Sequence, residues 1–215
     1  MMGFIVIPVG ISYRTIIMKP IVKSPNPQGK GLVTVLDDLQ YAKKQLQISA
    51  KNIQQISSEL FTSLFVLNSE IRFKPRQEQK YWLYFKDNQY RLSLIAPKQW
   101  SPEQSGRFIG ACELQGDMAW TLELSEDCAN DQAFIQEVAH QRQQLEDKMR
   151  QAEKVEDVLP VYVATLPFYS RVLASALAYS LRQSMQISGI AGLNLQQAKQ
   201  ALTNNGHISA LGAER

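Results

Sequence analysis

Histidine and cysteine are nearly missing from this chain, with two of each among 215 residues. His140 and His207 cannot join Cys112 and Cys128 at any spacing that structural zinc sites use, so no metal is expected. Fifteen residues separate the two cysteines, which is no disulfide framework, and a reducing cytoplasm is the expected compartment. Also absent are the G-x-S-x-G nucleophile elbow, the H-E-x-x-H metal helix and the dinucleotide glycine fingerprint. The "GKG" at residues 29–31 is not a phosphate loop, because the spacing G-x-x-x-x-G-K-[ST] is missing. With so few histidines, a general base would have to come from Glu103, Glu113, Asp117 or Glu123, and turn or solvent-face roles account for those carboxylates. Neither catalysis nor a cofactor is expected.

A strong charge of one sign is lacking too. Twenty-three basic and 20 acidic side chains give +3, far from the balance of a dedicated nucleic-acid binder. The distribution is uneven: residues 1–78 carry +5, 79–124 are neutral, 125–159 carry −5 and the remainder +3. A basic first part and an acidic third part can attract each other within one fold or across subunits, or the first can form an arm for an anionic partner. No apolar run is long enough for a comfortable membrane span. The opening "MMGFIVIPVGISYRTII" contains Pro8 and Gly10 and has neither a basic lead nor a cleavage site. Met18 opens "MKPIVKSPNPQGKGLV", so residues 1–17 are expected to be an upstream extension or a loosely held strand.

What is present begins with a loop over residues 19–31, where three prolines, two glycines and three lysines leave no regular element. From Val35 to Ile71 apolar and small residues fall alternately three and four apart, a heptad seam that predicts one long helix started at Thr34 and ended before Pro75. Leu39, Leu46, Ile53, Ile56 and Leu60 lie on that seam. They are the candidate interface for a protein partner or a second copy; the same stripe also suits packing on the protein's own sheet and later helix.

The stretch "YWLYFKDNQYRLSLIAPKQW", residues 81–100, packs two Trp and four other aromatic residues into twenty positions. A two-residue turn at Asp87 and Asn88 sets Phe85 opposite Tyr90, Leu83 opposite Leu92 and Tyr81 opposite Leu94, so one side of the hairpin is apolar. On the other side Trp82 faces Ser93 and Tyr84 faces Arg91, a mixture expected of a partly wet surface. Gly116 and Asp117 predict a type II′ turn between strands 108–115 and 118–124, with Trp120, Leu122 and Leu124 sharing a face with Ile109 and Ala111. The fold class is therefore α+β, a four-stranded antiparallel meander over residues 79–124 covered by the long helix.

Beyond it, residues 125–215 read as a helical extension. A charged helix over 131–158 has a seam of Ile135, Val138, Leu145, Met149, Ala152 and Leu159, interrupted at Arg142. A second helix over 168–186 repeats Ser170, Ala174 and Ala178 as a small face for close approach, with Arg171 and Arg182 against a membrane span. Gly189 terminates it, Asn194 and Gln197 cap a last short helix, and a frayed tail follows.

The aromatic strand, "S-x-I-x-P-x-x-W" and "F-x-G-x-x-x-L-x-x-D-x-x-W" together resemble an uncharacterised domain-of-unknown-function family that includes the human chromosome 1 open reading frame 50 protein. The matching residues are Tyr81, Leu83, Tyr84, Ser93, Ile95, Pro97, Trp100, Phe108, Gly110, Leu114, Asp117, Trp120 and Thr121, and "PNPQGKGLV" at 25–33 resembles the start of bacterial members. The resemblance covers about residues 24–124, with 18–124 as the family-like domain, and implies no activity. Two functions stay open. One is a non-catalytic adaptor or assembly component working through its helix. The other is an RNA or small-ligand module in which Trp82, Tyr84, Arg91, Trp100 and Arg107 supply stacking and cationic contacts, with nucleic acid not favoured; Trp100, beside Pro97 and Pro102, also suits capping the end of the sheet core.

Overall fold

The computed structural model describes residues 48–161, 163 and 165–201. Leu39, Leu46, the extension before Met18 and the loop at 19–31 lie outside the described residues. The first described helix, α1, runs from Ile53 to Leu67. Its start is set by Asn52, whose side chain accepts from the Gln55 N–H while the Gln55 side chain accepts from the Asn52 N–H. The predicted single helix from 35 to 71 is thus corrected at both ends: residues 48–52 are non-helical, and Asn68 closes the helix by donating to the Leu64 carbonyl. Heptad spacing carried straight across this junction, but long-range bonds hold it extended. Lys51 N–H donates to Ser188 Oγ, Ser188 Oγ donates to the Lys51 carbonyl, and Ser184 Oγ donates to the Ser49 carbonyl.

Four strands follow: β1 (Lys80–Lys86), β2 (Gln89–Ser93), β3 (Arg107–Leu114) and β4 (Trp120–Leu124). The first hairpin takes the expected register, with Phe85 paired to Tyr90, Leu83 to Leu92, Tyr84 to Arg91 and Trp82 to Ser93. Asp87 and Asn88 both hold positive φ, as a type I′ turn demands. The ladder stops at Ser93, so Leu94 does not reach Tyr81 and stands exposed.

The sheet is antiparallel, but its order is β2-β1-β3-β4 and not that of a meander. After β2 ends beside Trp82, the chain passes along the outer face of β1 through a 3-10 turn (Pro97–Gln99) and a short helix, α2 (Pro102–Ser105), and enters β3 beside Phe85. Gly106 then turns at φ 78, where a Cβ would come within 2.5 Å of the Phe85 carbonyl oxygen. The prolines that read as a link in sequence therefore build a crossover.

The second hairpin corrects the predicted turn. Its loop has three residues, Gly116, Asp117 and Met118, closed by Met118 N–H to the Gln115 carbonyl and Gln115 N–H to the Ala119 carbonyl. The positive φ falls on Met118 and not on Gly116. The extra residue shifts pairing by one, so Trp120, Leu122 and Leu124 stand opposite Leu114, Cys112 and Gly110 rather than sharing a face with Ala111. A bulge between Leu83 and Tyr84 offsets β1 against β3, and Ile109 joins the core beside it.

Three further helices close the molecule: α3 (Glu126–Ala129), α4 (Gln132–Gln151) and α5 (Phe168–Ile187). A final helix, α6, runs from 195 through 201, the last described residue. Asp131 caps α4 through the Ala133 and Phe134 N–H groups. The predicted 131–158 helix ends early, and Val155–Val158 forms a separate 3-10 turn. α4 also buries Phe134 and Gln141 beside Leu145 and Met149, completing the seam that looked broken at Arg142. Ser170, Ala174 and Ala178 of α5 are buried, as their small-face spacing predicts. Gly189 turns at φ 69, and Asn194 and Gln197 exchange the expected capping bonds.

One cluster joins Ile53, Ile56 and Leu60 of α1, Tyr81 and Leu83 of β1, Trp120 of β4, Leu145 of α4 and Leu177 and Leu181 of α5. The candidate helix interface is corrected accordingly. Its described members Ile53, Ile56 and Leu60 are at most 1% exposed and face their own protein's core.

Candidate functional site

The five candidate binding residues do not form one open surface. Tyr84 lies on the sheet face away from the main core, yet it is 2% exposed. Trp100 meets its ring edge-on at 5.5 Å and Phe108 lies at 5.6 Å, while its hydroxyl donates to the Ile95 carbonyl at 2.9 Å. Burial pushes its phenol up to about 12. The expectation of a wet Tyr84 is therefore corrected: the crossover folds over this end of the sheet and makes a second, smaller aromatic core. Only the order β2-β1-β3 puts a crossover there, and the residue pattern of the hairpin carried no sign of it.

Arg107 is likewise engaged. Its Nη1 lies 2.7 Å from Asp131 Oδ2, and its guanidinium sits 5.7 Å from the centre of the Phe134 ring. Both partners belong to the start of α4, so Arg107 ties β3 to that helix. Arg91 points to carboxylates, with Nε 3.3 Å from Glu70 Oε2 and Nη2 3.8 Å from Asp87 Oδ2. Trp82 remains half-buried on the outer face, flanked by Ser93 and Ala111. Next to it a depression of about 260 Å³ is lined by Lys80, Ala111, Glu113, Thr121 and Glu123. Stacking rings beside free guanidinium groups are what a single-stranded nucleic acid would need, and this face offers one ring and an acidic rim instead.

A charge cluster escaped the sequence reading. Lys51 is 9% exposed, and its Nζ donates to Asp117 in the β3–β4 loop and to Glu59 of α1 at 2.5 Å. Burial pulls the ammonium down, but the bonds it donates to Asp117 and Glu59 outweigh that and hold its pKa above the ordinary lysine value. Burial raises Glu59 despite Lys51. Lys51 bonds both carboxylates, and Asp117 also accepts from the Ala119 N–H, so the cluster works as a clasp between the 48–52 strap, α1 and the sheet. The only hint was Asn52 with Gln55, a capping signal that places Lys51 just ahead of a helix. Cys112 is fully buried and its thiol is pushed up to about 12, which removes it as a nucleophile. Among the described residues no cluster of three or more His, Cys, Asp or Glu could hold a metal ion, and no helix is long and apolar enough to cross a membrane.

A surface that the sequence reading passed over stands at the head of α5. Phe168 and Tyr169 are 46% and 40% exposed, and the two rings meet edge-on at 5.5 Å; Val161, 50% exposed, lies further along α5, beside Ser175. Ser175 Oγ donates to the Val161 carbonyl at 2.8 Å, which holds the incoming chain against the helix.

A family model described as a protein of unknown function (DUF2452) matches residues 33–141. No curated protein and no solved structure matches the chain.

Proposed function

Since the chain belongs to the DUF2452 family, whose function is unknown, we propose its role from its surface: a non-catalytic protein–protein interaction or assembly component. The observation that carries this reading is the exposed ring pair of Phe168 and Tyr169. Aromatic side chains at the surface offer a large contact area at little entropic cost and are enriched where proteins meet. Both rings stand on the first turn of α5, directly after Pro167, so the backbone that carries them is already ordered before a partner covers it. This surface replaces the α1 seam as the contact region, since that seam is already used within the fold. We further read the compartment as the cytoplasm, supported by two buried free thiols, and the human chromosome 1 open reading frame 50 protein as a relative, supported by the motif from Tyr81 to Thr121.

The test is affinity purification from the native cell with the wild-type chain and with F168A/Y169A, followed by binding of each purified candidate to both. A protein that binds wild type directly and loses at least about tenfold in affinity with the double variant supports the reading. Unchanged binding of every partner by the variant would sink it. Light scattering of the purified chain separates a second copy from a foreign partner.

A further inference from the structure

We propose that the open edge of β4 is a docking site at which an extended, basic segment of a partner protein adds as a strand. Antiparallel pairing turns the backbone groups of alternate residues outward. In this hairpin Gln115 N–H bonds the Ala119 carbonyl and Ser125 N–H bonds the Ile109 carbonyl, so Thr121 and Glu123 point their backbone groups at β3. Trp120, Leu122 and Leu124 point theirs away from it. The Trp120 N–H is taken by Ser63 Oγ at 2.9 Å. No described residue takes the N–H or carbonyl of Leu122 or Leu124. At the opposite edge Glu70 closes β2, its N–H bonding the Tyr90 carbonyl and its carbonyl accepting from Leu92 N–H. One edge of the sheet is sealed and the other is open, and an open edge is a template for another strand.

Charge names the occupant. The outer face beside β4 carries Glu113 and Glu123, neither with an ion-pair partner among the described residues, and only Lys80 opposes them in the depression. Glu126 and Asp127 extend the acidic border past the end of the strand and are exposed. A strand laid along β4 sends alternate side chains over this acidic face, where Lys or Arg gains most, and the others beside the half-buried Leu122 and Leu124. A second copy is a poor fit, because "WTLEL" brings another glutamate and no base. The site is independent of the α5 surface, so each reading fails on its own evidence.

The probe is a synthetic eight-residue peptide alternating Lys and Val, titrated at low salt into the full chain and followed by amide NMR and hydrogen exchange; a peptide with Glu in place of Lys is the control. The expected result is binding of the Lys peptide alone, with exchange of the Leu122 and Leu124 amides slowed about tenfold or more. E113Q/E123Q weakens it about tenfold, F168A/Y169A leaves it unchanged, and Leu124→Pro, which deletes an edge N–H, abolishes it. Should the proline variant unfold, the E113Q/E123Q double variant still decides. The proposal is overturned by no binding, by equal binding of the Glu peptide, by protection elsewhere only, or by free-chain Leu122 and Leu124 amides already as slow as that of Glu123. Self-association that E113Q/E123Q leaves intact and the Lys peptide fails to displace overturns it as well.

Discussion

Two buried groups show how environment overrides residue type. Cys112 is a thiol without solvent, and the cost of creating a thiolate there pushes it up to about 12. In the native protein Cys112 and the equally buried Cys128 should resist a thiol reagent at pH 8 and react only once the chain unfolds, which absorbance during a urea titration would follow. Tyr84 was expected to be wet because the alternation of β1 sends it away from Leu83. It is buried because Trp100 and Phe108 cover it. Truncation to Ala should cost about 3–5 kcal/mol in urea unfolding, the range for deleting a buried ring. Tyr84→Phe removes only the bond to Ile95 and should cost about 1 kcal/mol. Equal, negligible costs for both would show that the second core does not form.

At the scale of elements, β3 and β4 approach so closely at Gly110 that an added Cβ would lie 2.2 Å from the Glu123 carbonyl oxygen. Gly110→Ala must therefore spread two paired strands, at about 1–3 kcal/mol for overpacking, with faster exchange of the Thr121 and Glu123 amides. Gly110 lies within the motif read from sequence, and the structure supplies its physical role. The helix ends show how far such reading reached. The α5 limits were legible because Pro167 and Gly189 act on their own neighbours. The junction before α1 was not, because the bonds that hold residues 49–51 extended come from Ser184 and Ser188, far along the chain.

The molecule as a whole is closed by those same bonds, together with the clasp on Lys51. K51M would leave Glu59 and Asp117 without their cation and should cost about 3 kcal/mol, the lower end for a broken buried pair since Glu59 is partly exposed. The Lys51 pKa is raised in the folded state, so its stabilisation is fully present below the ordinary lysine value of 10.5 and is lost as pH rises through the higher folded value. Wild type should lose stability over that alkaline window more steeply than K51M, as urea midpoints at pH 9 and pH 11.5 would measure. A chain ended at residue 159 keeps all that the family match covers yet loses α5, whose Leu177 and Leu181 share the core with Leu60. It should show rapid amide exchange throughout the sheet; a cooperative, stable fold would refute the single core.

Local chemistry, by itself, determined the α+β class, the first hairpin with its Asp87–Asn88 turn, the span of α5 and the absence of the searched catalytic motifs. Each depends on residues within a few positions of one another, where periodicity and turn geometry act. Tertiary structure alone decided the strand order, the burial of Tyr84, the use of the α1 seam inside the fold, the Lys51 clasp and the contrast between a sealed and an open sheet edge. Those depend on which distant segments meet, and the free energy that selects among such meetings is a property of the packed whole.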